Sequence, residues 1–390
     1  MADYKFNRAW AEVNLDNLAH NVNEIRRITN KNSEICGVVK ADAYGHGVME
    51  SVKVLLNNGV ERLAVSTLDE AIQLRQNGIS VPILILSYTD PRRAFEIITN
   101  NLTQTVFSKD LVNELSNVAI KLDKNVKIHI KIDTGMTRVG FMPGYSAIKI
   151  VQSISKLPRI IIEGLFTHFS SADEKDKSFT YLQFERFMNI CNELDRVGIY
   201  IPIKHVCNSA ALIEFPEMHL NMVRPGISLY GLYPSKDINK SKINLIPAMT
   251  LKANVIFVKD VEKDSYISYG RIFKTAKSSK IATIPIGYAD GYTRLLTNKG
   301  KVIINGELTP IVGRICMDQC MVDISNHSRN VKVGDEVVLF GKQKGTEITI
   351  EDVAKSIGTV NYEVICIIGR RIPRVYLQNE KIYCVLNYLV

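Results

Sequence analysis

The sequence predicts a barrel of eight parallel strands alternating with helices, a (β/α)8 TIM-like α/β barrel, followed by a mostly antiparallel β domain. Three observations predict it. Short apolar runs alternate with amphipathic stretches from residue 34 to residue 231. Several of those runs are nearly continuous in β-branched residues, as strands covered on both faces are. Beyond residue 240 the rhythm changes to short strands separated by Gly, Asn, Asp or Lys turns.

The eight runs, in order, are EICGVVK (34–40), RLAVS (62–66), PILILS (82–87), TQTVF (103–107), VKIHIKID (126–133), IIIEGLFTHF (160–169), PIKHVCNS (202–209) and NMVRPGISLYG (221–231). Helical patterns cover 47–57, 69–77, 91–100, 109–122, 146–156 and 177–197. Thr67 followed by Glu70 has capping-box spacing, and Asp90-Pro91 and Ser108-Lys109-Asp110 also read as helix starts. The second half reads as strands such as MTLKANVIFV, KIATIPIGY, TPIVGR, DEVVLF, YEVICIIG (362–369) and IYCVLNYLV, with one convincing helix at 350–358. The polar stretch 234–244 marks the boundary, so residues 1–240 form the barrel and 241–390 the β domain. The extreme N-terminus is left free to pack with the second domain.

Composition excludes several classes. With 46% hydrophobic and 23% charged residues the chain is neither disordered nor collagen-like, and 390 residues can bury a core without disulfides. The seven cysteines sit mostly in apolar runs, as reduced buried thiols do, and the one close pair, Cys316 and Cys320, lacks the second pair a zinc site needs. No apolar run reaches the length of a membrane span, and the N-terminal stretch has no export h-region, so a cytoplasmic protein is expected. The net charge of +9 is dispersed lysine without interleaved aromatics, which argues against nucleic acid and equally suits an anionic small ligand.

In such a barrel the chemistry sits at the C-terminal ends of the strands. That rim carries Lys40, Asp133 with Arg138, His168, Asn208-Ser209, and Arg224 with Gly226. A lysine closing a buried strand either snorkels to the rim or serves covalently, as an imine with a carbonyl compound. After the seventh and eighth strands, Ser209 can donate its hydroxyl, and Gly226 and Ile227 their backbone N–H groups, to a phosphate; ordinary turn chemistry accounts for the same residues. A phosphate and a carbonyl joined to one lysine describe pyridoxal 5′-phosphate (PLP).

The segment Val39–Gly47, VKADAYGHG, closely resembles the PLP-attachment motif of the bacterial alanine racemases. The likeness continues in order through KIDTGMTRVG (131–140), Thr167-His168-Phe169, Asn208-Ser209-Ala210 and Arg224-Pro225-Gly226-Ile227. In the second domain it takes in Ser268-Tyr269-Gly270, GYADG (287–291), GRICMD (313–318) and Asn361-Tyr362-Glu363.

The resemblance implies an isomerase that interconverts L- and D-alanine to supply D-alanine for peptidoglycan. Lys40 would hold PLP and act as the base on the D-face of Cα, with Tyr269 on the L-face, lent by the second subunit of a homodimer with shared active sites. Taken alone, Tyr269 reads as an interface or core tyrosine. Tyr44, Asn208, Ser209, Gly226, Ile227 and Tyr362 would surround the phosphate; Arg224, steadied by His168, would face the pyridine nitrogen. Arg138 and the backbone of Met317 would hold the substrate carboxylate. Lys131 corresponds to a lysine carbamylated in some members. Tyr288, with Tyr362, would narrow the entrance inside a polar ring of Asp173, Arg294 and Arg314. The alternatives are a broad-specificity or serine racemase of the same fold and a non-catalytic PLP carrier, which would lack residues 245–390. A metal-dependent barrel hydrolase would need clustered His and carboxylates at the rim, where only His168 is well placed.

Overall fold

The computed structural model describes residues 8–390. Residues 1–7, part of the N-terminus expected to pack with the second domain, lie outside the described residues. Two compact units divide the chain: one of Leu18–Ala43 and Val48–Ile246, the other of the residues up to Asn17, Tyr44–Gly47 and Pro247–Val390.

The first strand, β1 (Ala9–Asn14), belongs to the second unit. The helix after it, Leu15–Ile28, buries Leu18, Val22 and Ile25 on one stripe. The first unit is then built from β2 (Glu34–Val38), β3 (Arg62–Val65), β4 (Ile83–Ile85), β5 (Thr103–Val106), β6 (Val126–Lys131), β7 (Ile160–Phe166), β8 (Ile203–His205) and β9 (Met222–Val223). They form one parallel sheet in the order β8-β7-β6-β5-β4-β3-β2-β9. Between its ends, Asn221 N–H donates to Lys204 O at 3.0 Å and Arg224 N–H to Cys207 O at 2.9 Å, which draws β9 alongside β8 into a nearly closed barrel. Helices 48–57, 68–76, 94–99, 109–121, 145–155 and 178–196 alternate with the strands. The Thr67–Glu70 capping box forms in both directions, and Asp90 caps the turn opened by Pro91. Ser108 occupies its cap position without a side-chain bond.

Some boundaries differ from those expected. The eighth run keeps only two residues of strand, because Pro225 lacks an amide donor; residues 227–230 coil into a 3-10 turn instead. The first run stops at Val38, and the chain then takes an unusual course. Ala41, Asp42, Ala43 and Tyr44 all have φ between +52° and +55°, one turn of left-handed helix built without glycine. L-residues disfavour this conformation by about 1–2 kcal/mol each, so the surroundings must hold it. They do: Ala41 N–H donates to Glu70 Oε1 at 2.6 Å, Ala43 N–H to Val39 O at 2.9 Å, and Asp42 Oδ1 accepts from Val48 N–H at 2.8 Å.

The second unit comprises β1 with β10 (Met249–Asn254), β11 (Phe257–Val261), β12 (Tyr266–Ile267), β13 (Phe273–Lys274), β14 (Ser279–Ile284), β15 (Lys301–Ile304), β16 (Glu307–Pro310), β17 (Cys320–Asp323), β18 (Glu336–Gln343), β19 (Thr346–Ile348), β20 (Arg374–Gln378) and β21 (Lys381–Leu386). Its large sheet runs β16-β15-β18-β10-β1-β20-β21, antiparallel except for the β1–β20 pair. Two helices occur here, 350–357 as expected and 361–366, where a strand was expected across residues 362–369. Its φ of +85° and the Tyr376 hydroxyl, 1.9 Å from where a Cβ would stand, make Gly47 irreplaceable in its loop. Tyr376 Oη donates to His46 O, and the buried Arg374 guanidinium to Gly45 O at 2.9 Å, so β20 holds the loop 44–47 by its carbonyls.

Candidate functional site

Within the barrel unit the expected residues gather at the strands' C-terminal ends. Lys40 follows β2, Lys131 closes β6, His168 follows β7, Asn208 and Ser209 follow β8, and Arg224, Gly226 and Ile227 follow β9. Arg138 stands on the loop after β6. That loop is shaped by the buried Asp133, whose carboxylate accepts the N–H groups of Gly135, Thr137 and Arg138 at 3.0, 2.9 and 3.0 Å.

The charges in this cluster are mostly of one sign. Lys131 is buried with its ammonium 4.4 Å from the centre of the Phe166 ring. Burial, then the neighbouring Arg224 and Arg138, depress its pKa well below the usual lysine value. Arg224 is buried as well; desolvation lowers its pKa to about 10, so it stays a cation at neutral pH. Its Nη2 donates to Thr167 O at 2.9 Å and Val206 O at 3.0 Å, and its Nη1 to His205 Nδ1 at 2.7 Å. His168, the partner expected for Arg224, stands at 3.5 Å, the longest of these contacts. Burial, followed by the fields of Lys131, Arg224, Arg138 and Lys40, holds His168 neutral.

The loops after β8 and β9 meet in a second polar group. Ser209 Oγ accepts Gly226 N–H at 2.8 Å and the Ser228 hydroxyl at 3.0 Å, and Asn208 caps the short helix that Ser209 opens. Asp173 also belongs to this unit, and its carbonyl accepts the Ser235 hydroxyl.

The β unit presents a separate constellation. Tyr269 is 70% exposed on a turn whose neighbours Ser268, Gly270 and Arg271 all have positive φ. Ser268 Oγ ties that turn to Arg314 O at 2.6 Å. Tyr288 N–H donates to Cys316 O and Ala289 N–H to Met317 O, an approach so close that a Cβ on Gly287 would stand 2.3 Å from Cys316 O. Tyr288, Met317 and Arg314 are thereby gathered on one set of loops, with Arg294 exposed nearby in sequence. The rings of Tyr44 and Tyr362 stand 6.2 Å apart.

Three residues around Arg224 escaped the sequence reading: His205, His129 and Glu163. A signal existed. Lys127, His129 and Lys131 recur at every second position of a buried strand, and the interior of a barrel is normally filled by apolar side chains.

The donor set fits an anionic cofactor that bears a phosphate: buried cations at the rim, serine hydroxyls and a glycine amide converging beside them. Among the described residues no group of three His, Cys, Asp or Glu could hold a metal, all seven cysteines are free, and no helix is long and apolar enough to cross a membrane.

Residues 13–234 match the family model described as "Alanine racemase, N-terminal domain", and residues 248–376 match "Alanine racemase, C-terminal domain". The alanine racemase of Clostridium tetani is 51% identical over 381 residues, 97% of this chain and 98% of that protein. A solved structure of alanine racemase from Clostridium difficile 630 superposes with a TM-score of 0.95 at 46% identity, covering 99% of this chain and 100% of the other. One from Bacillus anthracis with bound L-Ala-P superposes at 0.93 with 38% identity, covering 98% of this chain and 98% of the other.

Proposed function

We propose, since the chain belongs to the alanine racemase family and is an isomerase acting on the two enantiomers of alanine, that it works with PLP and two bases, Lys40 and Tyr269. The basic groups at the barrel rim, with the buried Arg224 among them, carry this reading, because they suit a phosphate-bearing cofactor and a carboxylate substrate together. PLP, when bound, supplies the electron-withdrawing ring that acidifies the Cα proton of alanine.

The chain's own groups supply the rest. Ser209, Gly226, Ile227, Asn208, Tyr44 and Tyr362 would hold the cofactor's phosphate. Arg224 would serve the cofactor's ring nitrogen; a guanidinium has donors only, so it would disfavour a proton there and favour simple return of the Cα proton. His168 braces Arg224. Lys40 holds the cofactor and then moves the proton on the D-face at Nζ, while Tyr269 Oη moves it on the L-face. Two bases on opposite sides need little motion of the substrate between them. Arg138 and the Met317 amide orient the substrate carboxylate.

Burial and the neighbouring arginines depress the Lys131 pKa, which raises the share of neutral amine able to add CO2, giving a carbamate and releasing one proton. The product is an anion able to brace Arg138. Tyr288 and Tyr362 narrow the entrance inside Asp173, Arg294 and Arg314, which favours a side chain as small as a methyl group. Tyr269 comes from a second copy in a homodimer, and the enzyme works in the cytoplasm, feeding D-alanine to peptidoglycan.

The test is purified protein with L-alanine in D2O. We expect loss of optical rotation together with deuterium at Cα; a cofactor carrier would give neither. Faster turnover of serine than of alanine would replace the substrate assignment with the broader racemase.

A further inference from the structure

We infer that Glu163 is a positioning residue for Arg224, acting through His129 and His205 along a one-way hydrogen-bond relay inside the barrel. The geometry stands by itself; its consequence for the cofactor rests on the function proposed above.

The relay's direction follows from elementary donor counting. Arginine has no acceptor, so His205 Nδ1, 2.7 Å from Arg224 Nη1, must accept and carries no proton. The proton of a neutral His205 is then on Nε2, 2.9 Å from His129 Nδ1, which must accept in turn. His129 therefore carries its own proton on Nε2, 3.2 Å from Glu163 Oε2. The chain ends on an ionised carboxylate, a group that only accepts. Run backwards it fails at both ends. No proton needs to move along it; what it fixes is orientation and tautomer.

Packing shows that the relay is built in. A Cβ on Gly164 would stand 2.5 Å from His129 Nδ1, so only glycine leaves room for that imidazole. Phe166 stacks on the His205 ring at 4.6 Å between centroids with the planes 7° apart. Burial keeps both imidazoles below the usual histidine pKa, as the single-proton assignment requires. Burial alone would raise the Glu163 carboxyl, but His129, Lys127 and Arg62 together outweigh it and hold it ionised. Arg62 donates to Glu163 at 2.9 Å and Lys127 at 2.7 Å.

For Arg224 the consequence is mechanical and electrostatic. With Thr167 O and Val206 O on Nη2, His205 is the acceptor that fixes Nη1 and so the plane of the guanidinium. Polarisation toward a distant anion also offsets part of a buried cation that stands beside Lys131.

Two measurements test this. Nitrogen-15 NMR of histidine-labelled protein at pH 7, with the two signals identified by His129→Gln and His205→Gln, should show Nε2 protonated and Nδ1 bare on both rings. A proton on either Nδ1 overturns the relay, whatever the enzyme's activity. Cofactor removed from the protein and added back should bind about 2- to 30-fold more weakly to Glu163→Gln, the span of coupling carried by packed networks. Lys127→Met, which touches the same carboxylate from outside the relay, should bind it as the wild type does. Equal loss in both variants, or none in Glu163→Gln, rejects the positioning role. Racemisation of alanine by the unaltered protein tests the proposed function separately.

Discussion

On the proposed mechanism Lys40 and Tyr269 divide one task, and their substitutions should fail differently. Lys40→Ala should abolish borohydride-fixed cofactor and lower kcat by more than about 1,000-fold, the scale on which removal of a covalent catalytic group acts. A label retained at another lysine would refute the assignment. Tyr269→Phe, at an exposed side chain, should leave melting and cofactor binding intact. Its cost, about 100- to 10,000-fold as for loss of an acid–base group, should fall on proton removal from L-alanine. Equal rates for deuterated and ordinary L-alanine with undiminished turnover would contradict it. At this scale the polar cluster at the barrel rim is legible, because Lys40, Ser209 and Arg224 are polar residues at the ends of apolar runs. His129, His205 and Glu163 are not. Each reads as an ordinary polar residue in its own strand, and only closure of the sheet brings their rings and carboxylate together.

At the scale of elements, two devices carry measurable stability. Thr67→Ala removes one half of the capping box on helix 68–76 and should cost about 1 kcal/mol in chemical denaturation. A variant as stable as the parent would show that tertiary packing alone defines that helix start. The helix 15–28 is tied down by Glu24, which accepts from Arg27 at 2.9 and 2.8 Å and from Asn244 N–H at 2.9 Å. The hydrogen bond from Arg27 is the largest influence lowering its pKa from 4.5 to about 2. A carboxylate depressed on folding stabilises fully above the unfolded value and loses that contribution as the pH falls from about 4.5 to about 2. Glu24→Gln should therefore be less stable at pH 7 by about 1–2 kcal/mol, allowing for its partial exposure, and match the wild type near pH 2. A gap that does not shrink with acid would remove the ion pair from the account. The helix itself is readable in the spacing of Leu18, Val22 and Ile25; β1 before it alternates like a strand. Its parallel partner β20 lies more than 350 residues away, a pairing that local pattern cannot reveal.

For the molecule as a whole, a shared site makes a quantitative demand. If Tyr269 is lent by a second copy, Lys40→Ala and Tyr269→Phe chains can complement each other. Half of the dimers in an equal mixture are mixed, and one of their two sites is intact. The mixture should regain about a quarter of wild-type activity after subunit exchange, although each parent is nearly dead. Recovery of nothing would mean that both groups serve from the same chain. The division into barrel and β domain is broadly legible, since the change of rhythm near residue 240 reflects a real change from parallel to antiparallel pairing. What the pattern does not delimit is that residues 8–17 and Tyr44–Gly47 group with the second unit.

The four residues after Lys40 wind with the opposite hand to the α-helices of the described residues. In that conformation the mirror-image residue is the relaxed one. Semisynthetic protein with D-alanine at the exposed position 41 should be more stable by about 1 kcal/mol, read as a higher melting temperature. No gain would mean that Glu70 and Asp42 already absorb the whole penalty. On this view the segment beside the lysine proposed to hold the cofactor would sit more comfortably in one of the two enantiomers that the enzyme interconverts.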